Sequence, residues 1–180
     1  MNAIKGIFVI LFAIAFTSCQ DKQTLQEYYV DSKENDAFIL VDVPTSLIAP
    51  SAEEMTEDQK KVLKSVKKVN LLAYAKTDSD FYTSETLKVK EILADDNYEE
   101  LMKFGNPNQR MRLFIKSQEE SIDEIVVFAQ DEKKGFLLAR VLGDKMNVAD
   151  MVRFAETMDT SSTAFNTAGF EGVMDVFNNK

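Results

Sequence analysis

One side chain of this chain has a clear chemical fate, and it belongs to the single cysteine, Cys19. Cys19 follows a basic residue, Lys5, and an unbroken apolar run over residues 7–16. A short apolar run that lies behind a basic residue and ends at small residues is typical of a cleaved secretory signal. A membrane-spanning helix needs about 20 apolar residues, so this run is too short to stay as an anchor.

The residues around Cys19 resemble a bacterial lipoprotein signal, in which cleavage precedes a lipidated cysteine. Ser18 fits the small residue before the cut, whereas Phe16 departs from the aliphatic residue usual three places before the cysteine. We therefore predict that the chain is held at the membrane through lipid on Cys19, with an ordinary cleaved signal as the alternative. Residues 20–23 lack the acidic cluster seen in many surface-exported lipoproteins, which favours the outer membrane, facing the periplasm.

Catalytic chemistry is limited mostly by residues that the chain lacks. It has no histidine, which excludes Ser-His-Asp and Cys-His catalysis and histidine metal sites. A single cysteine excludes an intramolecular disulfide and a cysteine zinc site. The six glycines are isolated, so there is no glycine-rich phosphate loop. We predict a protein that is not an enzyme and has no cofactor and no metal site.

Carboxylates remain, since acidic pairs can hydrolyse glycosides and acidic loops can hold calcium. Asp78 and Asp80 begin like a calcium loop, but Thr83 and Val89 stand where glycine and glutamate are needed. Neighbouring residues of a strand point to opposite faces, so Asp123 and Glu124 are not a natural catalytic pair. We interpret the adjacent acidic pairs as solvated surface charge.

Composition indicates one acidic, well-packed domain. The formal net charge is −9 and 45% of the 180 residues are apolar. An acidic chain repels nucleic acid and anionic lipid surfaces, so no nucleic-acid partner is predicted. We divide the chain into a signal peptide (1–18), a polar tether (19–36), a folded domain (37–158), and a Ser/Thr-rich joint with a short helix (159–180).

Hydrophobic periodicity predicts an α+β fold with a four- to five-stranded, mostly antiparallel sheet and helices packed on one face. The second strand is expected to follow the first through a right-handed βαβ unit. The helix between them has two possible capping boxes, Ser51 with Glu54 or Thr56 with Gln59. The predicted strands are 37–43, 69–76, 110–116, 122–130 and 136–142, and the predicted helices are 51–66, 81–94, 98–104 and 148–158.

The last residues of the chain carry a second pattern that could bind a partner. Phe170, Val173, Met174 and Phe177 have the spacing i, i+3, i+4, i+7 of one helix face. Such a short amphipathic helix either docks on its own domain or binds a partner, and disorder is the third alternative.

Several segments together resemble a known family. They are 98–102 (YEELM), 122–127 (IDEIVV), 136–143 (FLLARVLG) and the helix near 149–151. This pattern resembles an uncharacterised family of small lipoproteins from Bacteroidota, domain-of-unknown-function family 4252, over about residues 37–158. The resemblance implies no activity and no catalytic residues; it implies an envelope location and an association with envelope stress regulation.

These observations together favour a non-enzymatic envelope lipoprotein that binds a protein partner or has a regulatory role. The alternative is a periplasmic carrier or binding module for a small apolar ligand, suggested by the phenylalanine-rich strands. A carboxylate-based hydrolase is the third class that the residues leave open. The sequence predicts no oligomeric state.

Overall fold

The computed structural model describes residues 22–43, 55–118 and 121–157. These segments form four helices and six strands. In chain order they are α1 (Leu25–Ser32), β1 (Phe38–Val43), α2 (Glu57–Ser65), β2 (Val66–Ala75), α3 (Ser79–Leu93), β3 (Glu99–Gly105), β4 (Gln109–Gln118), β5 (Ser121–Asp131), β6 (Gly135–Met146) and α4 (Val148–Thr157).

All six strands form one antiparallel sheet in the order β1-β2-β6-β5-β4-β3. The α+β class and the mostly antiparallel sheet are confirmed. The predicted strand number of four or five is wrong, because β3 adds a sixth strand at one edge. β5 lies between β4 and β6, which fits its apolar residues on both faces, such as Ile125, Val126 and Val127.

β3 occupies the segment for which the sequence predicted a short helix, 98–104. Gly105 follows this segment and has a φ of +103°. A glycine in this conformation is typical of a helix end, but here it begins a tight hairpin turn. The Asn106 side-chain oxygen accepts hydrogen bonds from the backbone amides of Asn108 and Gln109, at 2.9 and 3.0 Å. A Cβ at Gly105 would collide with the carbonyl oxygen of Gln109, so the turn requires glycine.

The predicted βαβ unit is also wrong. β1 and β2 pair directly and antiparallel, from Phe38 opposite Tyr74 to Val43 opposite Val69. The chain therefore does not return along the sheet between them, as a parallel crossover would require. Helix α2 ends at Ser65 and β2 begins at Val66, so the helix leads straight into the strand. Of the two possible capping boxes, Thr56 with Gln59 is formed, and Ser51 and Glu54 lie outside the described residues.

Strand β6 continues three residues beyond Gly143, at which the sequence analysis ended it. A Cβ on Gly143 would collide with the carbonyl oxygen of Ser65, at the end of α2. Glycine therefore lets the end of α2 approach the strand closely rather than stopping the strand.

Helices cover parts of both faces of the sheet, so the prediction of helices on one face is wrong. Helices α1 and α3 pack on a face that we call the aromatic face. Its large side chains are Leu72, Tyr74, Phe114, Val126, Phe128, Phe136 and Leu138. Helix α4 packs on the opposite face through Val148 and Met151, next to Ile115, Ile125 and Met146. Helix α2 contacts α4 and strands β2 and β6.

Helix α1 lies within the segment 19–36, which the sequence analysis interpreted as a polar tether. Thr24 and Glu27 form a capping box at its start. Leu25, Tyr28 and Tyr29 are buried in the same cluster as the aromatic face. The tether interpretation is therefore wrong for residues 25–32, because three large side chains at i, i+3 and i+4 give the polar segment one apolar side.

The packing of α1 predicts that its tyrosines contribute to the stability of the domain. Replacing Tyr29 with alanine removes a buried ring, and we expect a loss of about 3–5 kcal/mol in the free energy of unfolding. The matched control is Val30→Ala, since the adjacent Val30 side chain is 52% exposed, and its effect should stay within about 0.5 kcal/mol. Urea unfolding of both variants measures the difference. Equal, small losses would mean that α1 is not part of the core.

Candidate functional site

The site residues that the sequence predicted fall outside the described residues. This applies to Cys19 and to the four apolar residues of the C-terminal pattern, Phe170, Val173, Met174 and Phe177. The candidate site described below was not predicted from the sequence, and it lies on the sheet itself.

The face opposite the aromatic face carries three cross-strand rows that are apolar except for Glu99, which lies opposite Ile115 at the β3 end of the last row. We call it the aliphatic face. Each row follows from the strand register. The first row is Phe104, Met111, Ala129, Leu137, Ala73 and Ile39. The second row is Met102, Leu113, Val127, Ala139, Leu71 and Val41. The third row is Ile115, Ile125, Val141, Val69 and Val43.

The three rows differ in what packs on them. Most of the third row belongs to the cluster that includes Val148 and Met151 of α4. Apart from Leu113, no member of the first two rows belongs to either hydrophobic cluster of the described residues. The first two rows span six strands, about 24 Å at roughly 4.8 Å between strands. In these two rows Phe104 and Met111 are exposed, Leu71 and Ala73 are buried, and the other side chains are half-buried. An exposed apolar patch can mark a site of interaction, and here it lies at the β3 and β4 end of the rows.

Exposure is greatest where the first row meets the sheet edge. Phe104 is 50% exposed and Met111 is 42% exposed, and the two are opposite each other on β3 and β4. Together with Ala129 they border a shallow hollow of about 250 Å³. Two large apolar side chains side by side at the surface are the features of this face most accessible to another molecule.

The aromatic face, in contrast, carries buried charges next to α1. Glu124 and Arg140 are only 5% and 7% exposed. The Arg140 Nε and Nη2 atoms donate to the two carboxylate oxygens of Glu124, at 2.8 and 3.1 Å. The Tyr98 hydroxyl also donates to Glu124, at 2.9 Å, and Arg140 Nη1 donates to Gln26 Oε1 of α1 at 2.6 Å. The interpretation of Glu124 as solvated surface charge is therefore wrong.

This polar cluster is structural rather than catalytic in its geometry. Within the described residues, every fully buried side-chain nitrogen and oxygen has a hydrogen-bond partner. The other buried glutamate, Glu85, has partners of its own: the Tyr28 hydroxyl at 3.0 Å and Lys88 at 2.6 Å. Hydrolysis by two acids needs carboxyl groups that converge on a substrate, and each of these carboxylates instead binds neighbouring side chains.

A larger cleft, of about 420 Å³, lies where the start of α1 meets the end of α3. Its lining combines three lysines, two acidic residues and several apolar groups, so charge alone does not select a class of ligand. The lining residues that define it are Lys22, Lys88, Lys116, Glu91, Asp95, Leu25, Ile92 and Tyr98.

Two further properties bear on function. Among the residues that the structure describes, no group of three or more acidic, histidine or cysteine side chains is placed to hold a metal ion. In the same part of the chain, no helix is both long enough and apolar enough to cross a membrane.

Burial raises the pKa values of three tyrosines of α1 and of the loop before β3, which pack against the sheet. Burial raises the pKa of the Tyr28 phenol well above its usual value, and the negative charge of Glu85 raises it further. Burial likewise raises the pKa of Tyr29. The pKa of Tyr98 is raised by burial and then by Glu124. All three phenols therefore stay neutral in the folded chain at pH values where free tyrosine ionises.

Comparison with known proteins gives one match. The family model described as a domain of unknown function (DUF4252) matches residues 28–154, so the chain belongs to this family. The match begins within α1 and ends within α4, and so it covers the whole sheet. No curated protein matches the chain. No solved structure matches it either.

The buried tyrosines predict a loss of stability at alkaline pH. Their folded-state pKa values are raised, so their contribution is complete below about pH 10, the pKa of free tyrosine. It decreases as pH rises above that value, because the unfolded chain then releases protons that the folded chain keeps. Tyr28→Phe should reduce the slope of unfolding free energy against pH by up to about 1.4 kcal/mol per pH unit above pH 10.

Denaturant unfolding at a series of pH values between 8 and 12 measures this slope, and absorbance at the phenolate band reports ionisation in parallel. An unchanged slope in Tyr28→Phe would contradict the raised pKa of this phenol.

Proposed function

We propose that this member of the DUF4252 family is a non-enzymatic, lipid-anchored module of the bacterial cell envelope that binds a protein partner through the aliphatic face. The observation that carries the proposal is the row of apolar side chains across all six strands, which ends in the exposed pair Phe104 and Met111. The proposed location is the outer membrane on its periplasmic side, with a regulatory role linked to envelope stress.

The size and chemistry of the aliphatic face suit a protein segment better than a small molecule. Its first two rows are about 24 Å wide, enough for three to four turns of helix at about 5.4 Å each. Phenylalanine and methionine are enriched at the centres of protein interfaces, and methionine adapts its shape to different partners. The hollow beside Phe104 is about 250 Å³, below the range of roughly 300–1,000 Å³ typical of small-molecule sites.

Helix α1 changes the distance at which the domain would be held from the membrane. With lipid on Cys19, only residues 20–24 separate the anchor from the first residue of α1, Leu25. Five extended residues span at most about 18 Å. The domain would therefore lie against the membrane surface instead of at the end of a long tether, and its partner would be reached there.

The alternative function, a carrier for a small apolar ligand, would use the same face. On that face an apolar ligand would contact the exposed side chains of Phe104 and Met111. This alternative differs from the protein-binding proposal in what a purified preparation retains, and native mass spectrometry of that preparation separates the two.

The protein-binding proposal predicts that charge on the aliphatic face abolishes partner recovery. We expect the double variant Phe104→Asp/Met111→Asp to recover at least tenfold less partner from envelope extracts, since two carboxylates would be desolvated in the interface. The matched control is Val30→Asp/Leu87→Asp, because these two apolar side chains are equally exposed, at 52% and 51%, but lie on α1 and α3. The control should recover as much partner as the unmodified chain. Equal recovery by both double variants would contradict the proposal.

The anchoring proposal predicts that the thiol of Cys19 is the site of lipidation. Cys19→Ala should abolish incorporation of labelled fatty acid and leave the precursor uncleaved, because no other residue of the chain carries a thiol. Metabolic labelling followed by gel electrophoresis measures both effects. Labelling that persists in Cys19→Ala would refute the site, and normal cleavage without labelling would indicate an ordinary secretory signal.

A further inference from the structure

We propose that the C-terminal segment, residues 164–180, docks on the first two rows of the aliphatic face and competes there with the protein partner. This inference rests on the proposed function, since it concerns the regulation of the same face. It assigns a role to the apolar pattern Phe170, Val173, Met174 and Phe177, which lies outside the described residues.

The first argument is the side of the sheet from which the segment departs. Val148 and Met151 of α4 pack against the third row, beside Ile115 and Ile125. Helix α4 ends at Thr157, so the chain leaves the described fold on the side of the aliphatic face. The first and second rows lie next to the third row on the same face, and the segment does not have to pass around a sheet edge to reach them.

The second argument is reach. Twelve residues lie between Thr157 and Phe170, and the extended chain that joins the two spans up to about 45 Å. The face is about 24 Å wide, so every position on the two rows is within range. From Phe170 to Phe177 a helix rises by about 11 Å, which is less than half of that width.

The third argument is chemical fit. The spacing of Phe170, Val173, Met174 and Phe177 puts four apolar side chains on one helix face, while Glu171 and Asp175 lie off that face. The first two rows of the aliphatic face contain no charged side chain. An apolar helix side therefore meets an apolar surface while its carboxylates stay in water. The covalent link also raises the effective concentration of the segment to the millimolar range or above.

Other occupants are less well supported by the same surface. A second copy adding to the edge strand β3 would meet charged side chains at Glu99, Glu100 and Lys103 and a register shift between Glu100 and Met102. Both features oppose edge-to-edge pairing. An anionic membrane surface would repel a chain with a formal charge of −9.

A thiol probe on the face tests the docking directly. All members of both hydrophobic clusters lie between Leu25 and Met151, so a chain of residues 22–180 keeps the described core and has no cysteine. Ala139→Cys places one thiol in the middle of the second row. We measure its rate of reaction with a maleimide in two backgrounds, the unmodified tail and the tail variant Phe170→Asp/Phe177→Asp.

Labelling of Ala139→Cys should be about tenfold faster with the tail variant, because a segment docked nine tenths of the time leaves only one tenth of the molecules reactive. The control probe is Val30→Cys, exposed on α1 and so on the other side of the sheet; its rate should be the same in both backgrounds. Equal rates for Ala139→Cys in the two backgrounds would overturn the inference. A parallel increase at Val30→Cys would also overturn it, since it would indicate general loosening.

The labelling experiment contains no partner, so its outcome is independent of whether the face binds one. Competition between the tail and the partner is tested separately, by recovery of the partner from envelope extracts. The tail variant should recover more partner than the unmodified chain. Faster labelling without any partner recovery would refute the proposed function and keep the docking. Unchanged labelling with partner lost only in Phe104→Asp/Met111→Asp would refute the docking and keep the function.

Discussion

A sheet that is apolar on both faces must be covered on both faces, and this constraint decides most of the structure. On the aromatic face, α1 and α3 enclose a hydrophobic cluster. In it the rings of Phe38, Tyr74 and Phe136 pack edge to face or tilted, with centroids 5.8–6.3 Å apart. On the aliphatic face, Val148 and Met151 of α4 pack in the cluster of the third row. On this face exposure is greatest at Phe104 and Met111, at the β3 and β4 end of the first row.

The buried ion pair of Glu124 and Arg140 explains why α1 belongs to the domain. Taking both charges out of water costs free energy that their attraction offsets only if the remaining hydrogen-bonding groups are satisfied. Gln26 of α1 supplies one of those groups and Tyr98 another. The Tyr29 hydroxyl donates to the carbonyl oxygen of Leu138 at 2.8 Å, which fixes α1 to β6, the strand that also carries Arg140. Removal of α1 would leave Arg140 without a partner for Nη1, so the helix and the pair stabilise each other.

Sequence patterns predicted those parts of the fold whose signal is local. The alternation of Met111, Leu113 and Ile115 indicates a strand. Short turns between this strand and the two apolar segments that follow it indicate an antiparallel arrangement of β4, β5 and β6. β3 was missed because its residues do not alternate clearly and Asp96 and Glu99 have the spacing of a helix cap. Helix α1 was not predicted because the segment is mostly polar, and the helical spacing of Leu25, Tyr28 and Tyr29 is its only apolar signal. Glu124 could not be placed because its partner, Arg140, lies on the next strand, and pairing across strands is not visible in either segment alone.

The candidate site was missed for a related reason. Each strand contributes only two or three residues to the aliphatic face. Within the sequence of one strand, these residues cannot be distinguished from residues of the hydrophobic core. The continuity of a row, from Ile39 on β1 to Phe104 on β3, exists only in the register of all six strands. Position adds a second property: α1 lies on the aromatic face, so an anchor at Cys19 would leave the domain from the side opposite the aliphatic face. A short anchor on one side and an apolar row on the other would leave the row turned toward proteins rather than toward lipid, which is the arrangement that a partner-binding module at a membrane surface needs.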